Sequence, residues 1–117
     1  MQIKKTYHGV NPELLFDEVR DFVTKQGMVV DEEKIETYSL PSDSSTFISR
    51  GTLTFKAEGK TGKADKEYVR AHIVGSAKSE IKLIFDIDES LVSGKKVTAL
   101  QDDLDFIVGS YEVKSTE

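Results

Sequence analysis

The chain has 117 residues, the size of one domain. Charged residues make up 32% and the formal net charge is −5, which suits a soluble protein and argues against a general polyanion binder. There is no cysteine, which excludes disulfides, thiolate nucleophiles, zinc–cysteine sites and iron–sulfur clusters.

Ile3 to His8 reads as a first strand, with Ile3, Lys5 and Tyr7 on one face. The residues before it are polar, so no signal peptide is read, and no apolar run approaches the roughly 20 residues that cross a bilayer. The expected location is cytoplasmic. Asn11-Pro12 then starts a helix: the Asn side chain can accept from a first-turn amide, and the missing Pro N–H costs nothing at the first helical position. Leu15, Val19, Phe22 and Val23 form its apolar stripe, and Gly27 supplies a left-handed stop.

Met28 to Leu40 is the least regular stretch. Met28-Val29-Val30 begins a strand, Ile35 to Leu40 continues or resumes it, and Asp31-Glu32-Glu33 between them suggests an edge or a bend. Pro41 to Ser45 has loop composition. Thr46 to Ala57 alternates, with Phe47, Leu53 and Phe55 on one face and Ile48, Arg50, Thr52, Thr54 and Lys56 on the other. Gly51 falls on the apolar face, where it marks a bulge or a close approach by a helix. A hairpin loop covers 59–65. Glu67 to Val74 turns Val69, Ala71 and Ile73 inward, and Tyr68, Arg70 and His72 outward. After a turn over 75–78, Glu80 to Ile87 turns Ile81, Leu83, Phe85 and Ile87 inward. A last helix runs from about Ser93 to Val113, with Val97, Leu100, Leu104, Ile107, Val108 and Tyr111 as its stripe.

Strands with one apolar face need one covering layer, and two singly striped helices supply it. The predicted fold is α+β: a single antiparallel sheet of about five strands, with an N-terminal and a long C-terminal helix on one face. It forms one domain over residues 1–114, with a tail at 115–117.

The run from Tyr7 through Asn11-Pro12-Glu13 to Phe22 resembles the passage from first strand to first helix in the helix-grip proteins, the Bet v 1, START and polyketide-cyclase-like group. The closing helix through Leu104, Ile107, Val108 and Tyr111 is similar to their lid helix. The same β-α-β(4)-α order resembles one half of the TATA-binding-protein fold, whose open sheet face grips a partner. This chain is short for a helix-grip protein, and no family ligand or catalytic residue carries over by position.

Several motifs have a plainer reading than their chemistry. Gly59-Lys60-Thr61 lacks the earlier glycine of a phosphate loop, because position 54 is Thr. Asp86 to Ser90 fails the calcium-loop pattern, with Leu91 and Val97 where Gly and Glu belong. Asp102, Asp103 and Asp105 lie on or beside a wet helix face, not in the desolvated setting a general acid needs. His8 and His72 fall on outward strand positions with no nucleophile singled out beside them. No catalytic constellation, metal site or cofactor is expected. Lys60, Lys63, Lys66, Lys95 and Lys96 should gather at one end of the sheet as solvated lysines.

Two binding readings result. The first is a non-catalytic module that holds a small apolar ligand between sheet and C-terminal helix, in a pocket lined by Phe47, Phe55, Phe85, Leu104 and Tyr111; this follows from the resemblance and the two amphipathic helices. The alternative is an interaction module that docks a nucleic acid, a protein or a second copy on the outer sheet face through Arg50, Tyr68, Arg70, His72 and Lys82. Across four strands that face sets Lys4, Arg50, Lys56, Arg70 and Lys82 against Glu80 and Asp86, whereas each helix carries four acids and two bases. A basic sheet face and an acidic helix layer are therefore expected.

Overall fold

A computed structural model describes residues 1–41, 43–57, 68–76 and 80–113. The expected hairpin at 59–65 with its Gly-Lys-Thr, Lys66 just after it, residues 77 and 78 of the turn over 75–78, and the tail lie outside the described residues.

The elements are β1 (Gln2–His8), α1 (Pro12–Lys25), β2 (Met28–Leu40), β3 (Asp43–Ala57), β4 (Val69–Gly75), β5 (Glu80–Ile87) and α2 (Gly94–Val108), followed by a 3-10 turn over Gly109–Tyr111. The strands form one antiparallel sheet in the order β1-β5-β4-β3-β2. This is the expected α+β architecture, with α2 and its 3-10 extension packed on the sheet beside α1.

The local chemistry explains where the helices begin and end. Asn11 Oδ1 accepts from the amides of Glu13 and Leu14 at 2.8 and 3.3 Å, with Pro12 at the first helical position. Gly27 ends α1 at φ +89°, where a β-carbon would be strained. Ser93 Oγ accepts from Lys96 N and starts α2.

The stripe of α1 (Leu15, Val19, Phe22, Val23) is buried, joined by Phe16. Phe22 and Phe85 pack with ring centroids 6.1 Å apart and planes tilted by 51°, tying α1 to β5. The inward residues Val69, Ala71, Ile73, Ile81, Leu83, Phe85 and Ile87 are all buried, with Leu53 and Phe55 beside them. Gly51 is a close approach: a β-carbon there would stand 2.6 Å from the Phe16 ring. No helix among the described residues is long and apolar enough to cross a membrane.

The acidic stretch lies on an edge, as expected: β2 is the last strand of the sheet, and a register shift between Val30 and Glu32 absorbs one extra residue, Asp31, as the strand continues. Two expectations need correction. Leu40 and Asp43 already pair, so Asp43 to Ser45, expected as loop, belong to β3. The last helix stops at Val108. Beyond the 3-10 turn the backbone extends, Tyr7 bridges Glu112, and Val113 N donates to Thr6 O at 2.7 Å. The carboxy-terminal segment is thus a strap along the outer edge of β1. Tyr111 consequently leaves the helical stripe and is 44% exposed.

Candidate functional site: the outer sheet face and the overhanging hairpin

The five expected pocket residues occupy two environments. Phe55, Phe85 and Leu104 are closed into the core. Phe47 keeps the alternation that puts it on the face of Phe55, yet it is 55% exposed. The reason is length. β4 pairs with β3 only from Ser49 to Phe55, so Tyr38–Leu40 and Asp43–Ile48 form a two-stranded overhang past β4. Tyr111 lies against Gly9, outside the core. The expected set does not enclose one chamber.

The outer-face residues are held together by register. Arg70 stands opposite Thr54 and Asp86, His72 opposite Thr52 and Ile84, and Val74 opposite Arg50 and Lys82. His72 Nδ1 lies 3.4 Å from Thr52 Oγ1. Thr54 is buried between its neighbours, and its hydroxyl has no hydrogen-bond partner in the structure. Tyr68, just before β4, is half-buried and packs partly against the core. It lines an open groove of about 650 Å³ with Met1, Gln2, Arg70, Asp86 and Asp88. Gln2 Nε2 donates to Asp86 Oδ1 there, at 2.9 Å.

The face is less basic than four strands suggested, because β2 completes it. Glu32, Lys34 and Glu36 share the side of Thr54, Thr52 and Arg50 by direct register. Asp31 reaches Lys56 at 3.1 Å, and Lys34 reaches Glu36 at 2.9 Å. Glu36 holds Lys34 above the usual lysine range through their hydrogen bond, and Lys34 likewise draws the Glu36 carboxyl below its usual range. Acids and bases come close to balance over the whole face. An oblique apolar line crosses it through Ile84, Val74, Ile48 and Tyr38, set by the pairs His72/Ile84, Arg50/Val74 and Tyr38/Ile48.

The contributions of β2 were not read from the sequence. The alternation Glu32, Lys34, Glu36, Tyr38 was present, but an acidic run with one bulged residue hid its phase.

The other candidates are structurally occupied or solvated. Asp88 Oδ1 accepts from Ser90 N and Ser90 Oγ, so the segment that fails the calcium-loop pattern ends in a turn. Asp103 accepts from Gln26 Nε2 at 3.3 Å, and Asp102 and Asp105 are exposed. His8 is exposed. Lys95 and Lys96 are exposed at the start of α2. Among the described residues no three His, Asp or Glu side chains gather as a metal site. Tyr7 is fully buried and its hydroxyl has no hydrogen-bond partner; burial first, then Glu112 and Asp105, drive its pKa upward. A second cleft of about 230 Å³ lies between α1 and α2, bordered by Phe22, Lys25, Asp103 and the exposed Phe106.

No protein-family model, curated protein or solved structure matches this chain.

Proposed function

We propose that this domain is a non-catalytic interaction module that docks a protein partner on the outer face of its sheet. One observation carries the reading. Both helices cover the same face, and the opposite one presents the apolar line Ile84, Val74, Ile48 and Tyr38 flanked by Arg50, Arg70, His72 and Lys82. Apolar and aromatic contacts bordered by arginines suit a protein interface. A nucleic acid is the weaker fit, because Asp31, Glu32, Glu36, Glu80 and Asp86 share the face and a polyanion needs a net excess of bases.

The test is site-specific photocross-linking in extract from the source cells. A photoreactive side chain at Ile84 should give adducts of discrete mass, and the same group at Leu14 on the helix layer should give none. Adducts from Leu14 alone, or equally from both sites, would refute the reading. So would tight, salt-sensitive binding of short DNA or RNA with no protein adduct.

A further inference from the structure

The exposed edge of β2 is built to pair with itself. We infer that two copies of this chain associate edge to edge through antiparallel pairing of β2 about Ile35, joining their sheets into one. The inference is independent of the outer-face reading, since it concerns backbone and side chains at the rim of the sheet.

β2 is the terminal strand of the sheet and is 13 residues long. Asp31 to Ser39 are exposed at every position, on both faces. Such a strand offers a row of backbone donors and acceptors to a second chain. Proteins usually blunt such an edge by shortening, bulging or charging it. Here the bulge falls at Val30/Glu32, next to the part α1 reaches, and the next irregularity is at Ser39/Leu40. The segment 32–38 between them is regular.

Charge then selects a register. A two-fold axis perpendicular to the sheet keeps each side chain on its own face, so the pairing is defined by the residue on the axis. With Ile35 on the axis, Ile35 meets Ile35, and Lys34 of each copy stands opposite Glu36 of the other, twice. Glu33 then faces Thr37 and Glu32 faces Tyr38, with no like charges opposed. Moving the axis one residue to Lys34 opposes Lys34 to Lys34 and Glu32 to Glu36. Moving it to Glu36 opposes Glu36 to Glu36, and moving it to Glu33 opposes Glu33 to Glu33. Directly opposed like charges are unfavourable and opposite charges favourable. Without Lys34 the acids Asp31, Glu32, Glu33 and Glu36 would only repel a second copy. With it, the axis at Ile35 gains two ion pairs. The axis at Ile35 also spans Glu32 to Tyr38, all within the regular segment.

The side chains of Lys34 and Glu36 are 66% and 57% exposed, so both can be changed without disturbing the core. Sedimentation equilibrium should show a concentration-dependent dimer. Lys34→Glu alone and Glu36→Lys alone should each weaken it by about tenfold or more, since each converts two attractive pairs into two repulsive ones. An equimolar mixture of the two variants should recover the dimer. One variant then carries acids at both positions and the other bases at both, so each acid faces a base across the axis. The chain has no cysteine, so Ile35→Cys provides a clean test of register. Opposed Cα atoms in an antiparallel pair lie about 4.5–5.5 Å apart, within disulfide range. Ile35→Cys should cross-link to itself on mild oxidation. Glu32→Cys should not, but should cross-link to Tyr38→Cys. A monomer up to about 1 mM, a mixture that stays monomeric, or self-cross-linking at Glu32→Cys would each overturn the inference.

Discussion

The β2–β3 hairpin runs through two different settings. Below Gly51 it belongs to the body: Leu53 and Phe55 are buried beneath α1, and Glu33 still binds Arg20 of that helix. Above Gly51 the same two strands keep the same alternation, yet Tyr38 and Phe47 stand in water. Alternation decides which face a side chain takes. Whether that face is buried depends on the reach of the neighbouring layer, which alternation does not encode.

The sharpest way to break this comparison is to truncate one aromatic in each half. Phe55→Ala should cost about 3–5 kcal/mol, and Phe47→Ala, on the same strand and face, less than about 0.5 kcal/mol. Urea unfolding with an unchanged m-value would measure both; equal losses would mean that the overhang is covered. Next comes the boundary itself. A side chain at Gly51 must displace the Phe16 ring, so Gly51→Val should cost about 1–3 kcal/mol. Phe16→Leu in the same chain should recover part of that loss, and strict additivity would show that the contact is not the cause. The smallest effect belongs to the ion pair that ties α1 to the body half of β2. Arg20 pairs with Glu33, Asp17 and Asp21, and its pKa is raised first by the Glu33 hydrogen bond. It is partly exposed, so Arg20→Met should cost under about 1 kcal/mol, and the difference should shrink in high salt.

Much of the body was legible. The α1 stripe, the inward sets on β4 and β5, the Asn-Pro cap and the close approach at Gly51 all follow from spacing and residue type. Phe16 was missed because it lies at the margin of the stripe and is buried only by the groove that Gly51 opens. Tyr111 was misplaced because its spacing fits a helix that ends at Val108, and the pull that ends it is tertiary: the strap pairs with β1. The division of the pocket residues was illegible for the reason given by the hairpin. Phe47 and Phe55 carry the same pattern, and only the length of β4 separates their surroundings. The balanced charge of the outer face was hidden by the bulge at Asp31, which shifts the phase of β2 by one residue.

The pairing of β1 has a kinetic consequence. Its ladder joins Gln2 to Asp86 and His8 to Glu80, whereas the other strands pair with their immediate successors. During synthesis the hairpins from β2 to β5 can form in turn as the chain emerges. β1 must wait, with Ile3 and Tyr7 unburied, until β5 has been made, and α1 lacks part of its floor for as long. Closing so long a loop is entropically slow. The rate-limiting event in folding should therefore be the docking of the first strand onto the fifth, and the strap from Glu112 can close only after it.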